Sequence, residues 1–169
     1  ARARALAQGR AGMERSMSRK KCRRKVWALI DPIAHAIAGA AITDTASLDK
    51  LRMLELSAIE AFAKGRATPD DWRALADLLN LCETLARDGI GPEALEPCTQ
   101  AQEALGHAHA RHKDGKPLLF TGPELQAVRE SYEFHDLQRT SISRSQYEQA
   151  ITKTANRIKS AHPSLKVYA

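Results

Sequence analysis

The sequence predicts an all-α protein: a compact bundle of about six helices behind a basic N-terminal arm. From Val26 onward, apolar residues recur at three- and four-residue spacing, and capping residues, prolines and glycines separate the runs. Strand signals are nearly absent, the only candidates being residues 116–121 and 165–168. We therefore divide the chain into an arm, residues 1–25, and a single helical domain, residues 26–169, which is long enough to bury a core.

The first two predicted helices follow the arm directly. Asp31 and Pro32 provide an N-cap and a first-turn proline for a short Ala-rich helix that ends near Thr43. A second helix begins near Ser47 and ends at Gly65, where glycine supplies a left-handed cap. Its predicted buried face carries Leu48, Leu51, Ile59 and Phe62.

The third helix has the strongest start signal in the chain, Thr68-Pro69-Asp70-Asp71. A hydroxyl caps the helix, proline occupies the first turn, and two carboxylates lie at the positive end of the helix dipole. We interpret these two carboxylates as capping groups rather than as a general acid and base. The spacing of the apolar residues up to Gly89 predicts that this helix is central. Its predicted buried face is Trp72, Leu75, Leu79, Cys82 and Leu85.

Three more helices complete the predicted bundle. The fourth opens at Gly91-Pro92 and frays near Gly115, the fifth opens at the capping box 121–124, and the sixth runs from 143 to about 162. The predicted faces are Leu95, Cys98 and Leu105 in the fourth helix, Leu125, Val128, Tyr132 and His135 in the fifth, and Tyr147, Ile151, Ala155 and Ile158 in the sixth.

Positive charge is concentrated at the two ends of the chain. Residues 1–25 contain ten Lys or Arg and one acidic residue, a charge of +9. Residues 26–138 contain ten Lys or Arg and eighteen acidic residues, a charge of −8. Residues 139–169 carry +5, which returns the net charge of +6. An acidic middle between basic ends is typical of a protein that contacts a polyanion through its termini.

The remaining composition predicts a cytoplasmic protein with no membrane partner. The best apolar run, residues 26–42, imitates the core of a signal peptide, but Asp31, Pro32 and Gly39 interrupt it. Three cysteines without a C-x-x-C pair fit a reducing compartment. Residues 1–16 are rich in Ala, Arg and Gly, and whether they are native stays open because MSRKKCRRK begins a natural-looking start at Met17.

The common catalytic motifs are absent, so we predict no catalytic residue, no cofactor and no small-molecule substrate. The chain has no G-x-S-x-G, no H-E-x-x-H and no Gly-rich phosphate loop. His109 and His112 share a helix face that His135 or Cys98 could complete, but without paired zinc ligands at fixed spacing we predict no metal site. His135 is expected to be a half-buried helix residue, and Cys22 lies among cations with no catalytic partner nearby in sequence.

The basic residues predict a nucleic-acid-binding function. RKKCRRK, residues 19–25, resembles an arm that tracks phosphates and gains affinity by releasing counterions. The last helix adds a stripe of amides and cations without a carboxylate. The predicted set is Arg19, Lys20, Lys21, Arg23, Arg24, Lys25, Gln149, Lys153, Asn156 and Arg157. The alternatives left open are a solvated tail and an ordinary solvated helix face, and DNA is not distinguished from RNA.

Several segments resemble a group of small helical proteins encoded in phages, prophages and other mobile elements of proteobacteria. They are DPIAHAIAGAAIT at 31–43, LSAIEAFAKGRATPDDW at 56–72, GIGPEA at 89–94 and YEFHDLQR at 132–139. The resemblance spans residues 17 to about 160 and carries no site residues. It implies a non-enzymatic role in nucleic-acid handling, host takeover or interference with host defence.

Two functions follow as hypotheses. The first is a non-enzymatic nucleic-acid-associated binding protein of a phage or mobile element, alone or as a subunit of a nucleoprotein complex. The second is an inhibitor or adaptor that engages a host protein through the acidic middle, residues 26–138, in the manner of a DNA mimic.

Overall fold

The computed structural model describes residues 45–161 and Gly39, all of which belong to one compact unit, Asp31–Ala169. The helices are α1 Thr45–Ala63, α2 Pro69–Arg87, α3 Leu95–Lys113, α4 Gly122–Ser141 and α5 Arg144–Ser160. A single 3-10 turn, Pro92–Ala94, leads into α3. No strand occurs among these residues, and none of their helices is both long and apolar enough to cross a membrane. The all-α prediction is confirmed.

The predicted count of six helices is not met, because the described residues contain five. Of the predicted first helix, residues 31–43, only Gly39 is described. The predicted arm, residues 1–25, and the candidate strand at 165–168 also lie outside the described residues.

The other candidate strand, residues 116–121, is wrong. This segment is an irregular connection between α3 and α4 that presses Leu118 and Phe120 into the core. The Phe120 ring stacks on Phe62 with 4.3 Å between ring centroids, and the Phe120 backbone N–H donates to the Phe62 carbonyl at 3.4 Å. Packing against the C-terminal end of α1 therefore orders this segment without a neighbouring strand.

The predicted helix starts at α2, α4 and α5 are confirmed. Each start has a capping box, in which the hydroxyl of Thr68, Thr121 or Ser143 and the side chain three residues later exchange hydrogen bonds with the backbone. The predicted glycine cap is also present, since Gly65 follows α1 with a φ of +66°. Local sequence is sufficient here because every partner lies within one turn.

The prediction that α2 is the central helix is confirmed, because it packs against α1, α3, α4 and α5. Its apolar face is largely buried: Leu75 and Leu85 are 0% exposed and Leu79 is 1% exposed, whereas Trp72 is half-buried. Leu79 belongs to the main core, which α1, α3, α4 and the 116–121 connection complete.

Four of the predicted buried residues are exposed instead. Leu51, Leu95 and Ile151 keep 37%, 39% and 47% of their surface in solvent, and Ala155 is also exposed. In α5 the buried side is formed by Ala150 and Thr154, so the helix is rotated from the predicted apolar face. Thr154 donates a buried hydrogen bond to the Thr84 hydroxyl of α2 at 2.8 Å, which favours this rotation. The spacing of apolar residues within one helix does not reveal such a contact.

Replacing Leu79 by Ala is expected to lower the free energy of unfolding by about 2 to 5 kcal/mol, because the side chain leaves a cavity in the core. Urea denaturation followed by circular dichroism measures the change. Leu137→Ala is the matched control, since Leu137 is 66% exposed and its loss should change the midpoint little. Equal midpoints for the parent and the Leu79 variant would contradict the central position of α2.

Glu124, at the start of α4, should make the free energy of unfolding depend on pH in the acid range. Arg111 donates two hydrogen bonds to its carboxylate at 2.8 and 2.6 Å, and the Thr121 backbone N–H donates a third at 2.7 Å. The Arg111 hydrogen bonds first, and those from Thr121 next, outweigh burial and lower the pKa of Glu124 to about 2. Because the folded pKa lies below the unfolded value of about 4.3, this contribution is present above that value and is lost as pH falls towards 2.

Glu124→Gln should therefore flatten the loss of stability between about pH 5 and pH 2, because its side chain does not titrate. Denaturant midpoints measured at several pH values in this window test the change. Glu130→Gln on the same helix is the control, since Glu130 is exposed and has no ion pair within residues 45–161. A parental pH slope in the Glu124 variant would overturn the assignment.

Candidate functional site

The predicted nucleic-acid-binding residues separate into two groups. Residues 19–25 lie outside the described residues. The other four lie on α5, where Gln149, Lys153 and Asn156 are exposed and Arg157 is half-buried.

Both predicted cations of α5 are paired with carboxylates at the C-terminal end of α2, one within the helix and one in the residue that follows it. Lys153 Nζ lies 2.7 Å from Asp88 Oδ2, and Arg157 lies 2.8 Å from Glu83 Oε2. Arg157 also donates to the Asn80 carbonyl at 3.1 Å. These cations fasten α5 to α2, so the carboxylates missing from the α5 stripe are supplied by its neighbour.

Of the histidines considered for a metal site, His109 and His112 are neighbours on α3, with 6.5 Å between ring centroids, but other groups contact each of them. The His109 ring centroid is 5.7 Å from that of Trp72, and His112 Nδ1 lies 2.9 Å from the Lys116 carbonyl oxygen. His135 is on α4, with its ring centroid 6.5 Å from that of Tyr147. Within the described part of the chain, no three His, Cys, Asp or Glu side chains are arranged to hold a metal ion. The expectation that His135 is half-buried is wrong, since it is 0% exposed.

A buried ion pair joins α1 to α4, and sequence reasoning missed it. The side chain of Arg139 is 0% exposed and that of Glu55 is 8% exposed. Their two nitrogen–oxygen distances are 3.1 Å for Nη1 to Oε1 and 2.8 Å for Nη2 to Oε2. Only the first of these contacts has hydrogen-bond geometry; Nη2 and Oε2 lie within ion-pair distance but form no hydrogen bond within the described residues.

A chain of alternating charges continues this pair towards solvent. Arg139 Nε donates to Asp136 at 2.8 Å, and Arg52 donates to both oxygens of Asp136 at 2.8 and 3.0 Å. Arg52 also reaches Asp49 at 3.0 Å. Burial opposes ionisation of Asp136, but the hydrogen bonds from Arg52 and Arg139 prevail and lower its pKa. Similarly, burial opposes the charge on Arg139, but hydrogen bonds to Glu55 and Asp136 raise its pKa.

The signal that could have identified this pair is its helical position. Glu55 precedes Ile59 by four residues and Phe62 by seven, so it shares their buried face. Arg139 follows His135 by four residues and Tyr132 by seven. A charged residue at a core position of each helix indicates a buried pair, although the sequence does not say which charges meet.

A second polar group lies in the core between α2, α3 and α4. Cys82, Cys98, Ser131 and His135 are all 0% exposed. The Cys98 thiol donates to the Leu79 carbonyl at 3.1 Å, and both cysteines are free thiols. We call these four residues the thiol cluster.

Gln138 closes one side of the thiol cluster. Its Nε2 donates to the Ile90 carbonyl at 2.8 Å and to the Cys82 carbonyl at 3.3 Å. The turn that it holds needs glycine at position 91, where φ is +60° and a Cβ would lie 3.2 Å from Gln138 Cγ. The turn between α2 and α3 is therefore tied to α4.

The two thiols have different acidities. Hydrogen bonding from Cys98, and then from His135 and Ser131, lowers the pKa of the Cys82 thiol although burial opposes the charge. Cys82 and burial together raise the pKa of the Cys98 thiol. The arrangement therefore favours one thiolate, at Cys82, beside a protonated thiol at Cys98.

Four large apolar residues of α1 are exposed. Met53, Leu54, Leu56 and Leu51 are 69%, 56%, 45% and 37% exposed, while Asp49, Lys50 and Glu60 of the same helix are exposed as well. Large apolar side chains grouped on the exposed part of one helix favour an interaction surface.

Breaking the buried ion pair should be costly. Glu55→Gln is expected to lower the free energy of unfolding by about 3 to 5 kcal/mol, because it leaves the Arg139 charge buried without its carboxylate. Arg144→Gln is the control: the Arg144–Glu148 pair is exposed, so its loss should cost less than about 1 kcal/mol. A double variant, Glu55→Leu with Arg139→Met, should recover much of the loss in the same denaturation experiment. A fully stable Glu55 variant would refute the importance of the pair.

Comparison with known proteins adds no relative whose site could be superimposed on this one. No family model, curated protein or solved structure matches the chain.

Proposed function

We propose that the protein is a non-enzymatic nucleic-acid-associated binding protein in which residues 19–25 supply the main phosphate contacts. The observation that carries the proposal is the separation of charge between the arm and the helices. Residues 1–25 carry a formal charge of +9, whereas residues 45–161 contain fifteen Lys and Arg and seventeen Asp and Glu, a charge of −2.

The described helices use many of their cations internally. Arg111 binds Glu124, Arg139 binds Glu55, and Arg157 binds Glu83. A cation that is already paired with a carboxylate contributes less binding energy to a phosphate contact, since the carboxylate repels the phosphate and must be screened or displaced. The internal pairing of these cations supports residues 19–25 as the principal contact with nucleic acid. Lys153 and Arg157 would make a smaller contribution to binding.

The biological setting belongs to the same proposal. A phage or mobile-element protein that handles nucleic acid, as a subunit of a nucleoprotein complex, would combine a phosphate-binding arm with a rigid helical body. The paired cations and the buried core of the helices support a structural role for the helices and a phosphate-binding role for the arm. Phosphate contacts made by such an arm position a protein without specifying bases, so DNA and RNA are both suitable partners.

Salt titration tests the arm. Each phosphate contact contributes about 0.9 to the slope of log affinity against log salt on duplex DNA, so four to six engaged cations should give a slope of about −4 to −5. Replacing Arg19, Lys20, Lys21, Arg23, Arg24 and Lys25 by Ala should weaken binding to unrelated sequences about equally and flatten the slope. Fluorescence anisotropy with DNA and RNA probes at several salt concentrations measures both effects.

Lys64→Ala, Arg66→Ala and Arg73→Ala together make the control variant, because these exposed cations pair with Glu60 or Asp70. The control should keep the parental affinity and slope. Unchanged binding in the six-Ala variant, or no binding by the parent protein at low salt, would refute the proposal.

A second candidate function, protein binding through the acidic middle, is favoured by a specific surface. Glu93, Glu96 and Glu103 lie exposed on and just before α3, and none of them forms an ion pair within the described ranges. Unpaired carboxylates on one helix are suited to a basic protein surface. If the parent binds no nucleic acid but co-purifies with a host protein, and exchanging these three residues for Gln abolishes that association, the second function replaces the first.

A further inference from the structure

The thiol cluster is unusual for a helical core, because it combines two cysteines with polar groups that lack ordinary partners. We propose that Cys82 and Cys98 are a redox-active pair that closes to a disulfide between α2 and α3 when the protein meets a hydroperoxide. The proposal is independent of nucleic-acid binding and rests on the placement of the two thiols and their neighbours.

The two thiols are buried in the same part of the core. Cys82 on α2 and Cys98 on α3 are each 0% exposed and belong to one core cluster, and Cys98 Sγ lies 3.1 Å from the carbonyl oxygen of Leu79, three residues before Cys82. Gln138 links His135 to the same helix, with its Oε1 3.5 Å from His135 Nδ1 and its Nε2 3.3 Å from the Cys82 carbonyl oxygen. Ala86 and Ala101 in this cluster have small side chains, which allows α2 and α3 to approach closely. A disulfide requires the sulfurs to come within about 2.05 Å, so closure requires a local movement of α2 and α3.

The neighbouring polar groups provide the second observation. Ser131 Oγ and His135 Nε2 are buried and form no hydrogen bond of ordinary geometry within the described part of the chain. Both lie beside Cys82 and lower the pKa of its thiol. Buried polar groups without good partners are rare in native cores, and such groups next to a cysteine favour a chemical role over simple packing.

The chemistry balances with a hydroperoxide as the two-electron oxidant. Cys82 passes its proton to Nε2 of His135, and its thiolate sulfur attacks a peroxide oxygen. A sulfur–oxygen bond forms, the oxygen–oxygen bond breaks, and the departing oxygen leaves as water or an alcohol after taking that proton. The Cys98 sulfur then attacks the sulfenic acid, forming the disulfide, and the released hydroxide takes the Cys98 proton to become water. A dithiol reductant reverses the sequence.

Burial of the two thiols slows their reaction with the oxidant. Because neither thiol is exposed, the oxidant must enter through a transient local opening. The turn between α2 and α3 lies against the cluster through Gln138. Slow reaction with a large oxidant and faster reaction with hydrogen peroxide are therefore expected.

The experiment uses the full chain carrying Cys22→Ser, so that only the two proposed cysteines remain. Hydrogen peroxide is added to the folded protein, and thiols are counted after denaturation. The expected result is the loss of both thiols together, a mass lower by two hydrogen atoms, and a cross-linked peptide that joins residues 82 and 98. Dithiothreitol should restore both thiols, and the oxidised form should show a higher urea midpoint because a loop with 15 residues between the cysteines is closed.

Single variants then test which thiol attacks. With Cys98→Ser, peroxide should leave a sulfenic acid on Cys82 that dimedone traps, whereas with Cys82→Ser, Cys98 should be trapped far more slowly. Circular dichroism of each variant checks that it is folded. Separate oxidation of the two cysteines without a cross-link, or cross-linking only after denaturation, would overturn the proposal. Faster trapping of Cys98 than of Cys82 would overturn the order of attack.

Discussion

The buried ion pair between Arg139 and Glu55 fixes how α4 lies against α1. A guanidinium withdrawn from water is tolerated when carboxylates neutralise its charge, and here Glu55 accepts a hydrogen bond from Nη1, Asp136 accepts one from Nε, and Nη2 lies 2.8 Å from the second oxygen of Glu55. A shift of one turn along either helix would bury these charges without partners. The pair therefore selects one alignment of the two helices, whereas apolar contacts alone would permit several.

The same helix carries the polar groups that approach α2 and α3. Ser131, His135 and Gln138 occupy buried positions of α4 just before Arg139, so the register set by the ion pair also places them against the thiols and the Ile90–Gly91 turn. The geometry of the thiol cluster thus depends on a charge pair two turns away from Ser131 and on another side of the core. Polar residues in this core specify the arrangement that the apolar residues stabilise.

Charge is used in two ways along this chain. In the described helices, cations stabilise the packing of one helix on another. Lys153 and Arg157 form ion pairs between α5 and the C-terminal end of α2, and Arg111 of α3 binds Glu124 at the start of α4. In the sequence of residues 19–25, cations stand together with no acidic neighbour between them. Charges of the first kind are neutralised on folding, whereas charges of the second kind keep the field that attracts a polyanion.

The sequence by itself determined the helical class and the starts of three helices, because capping boxes such as Thr68 to Asp71 and a cap such as Gly65 depend on residues within one turn. The central place of α2 was also predictable, since its apolar face is broad and continuous. Only the tertiary structure decided the partners of Arg157, the exposure of Ile151 and the burial of Cys82 and Cys98 in one core cluster. Those outcomes depend on which residues of other helices lie opposite, and periodicity within one helix carries no information about its neighbours.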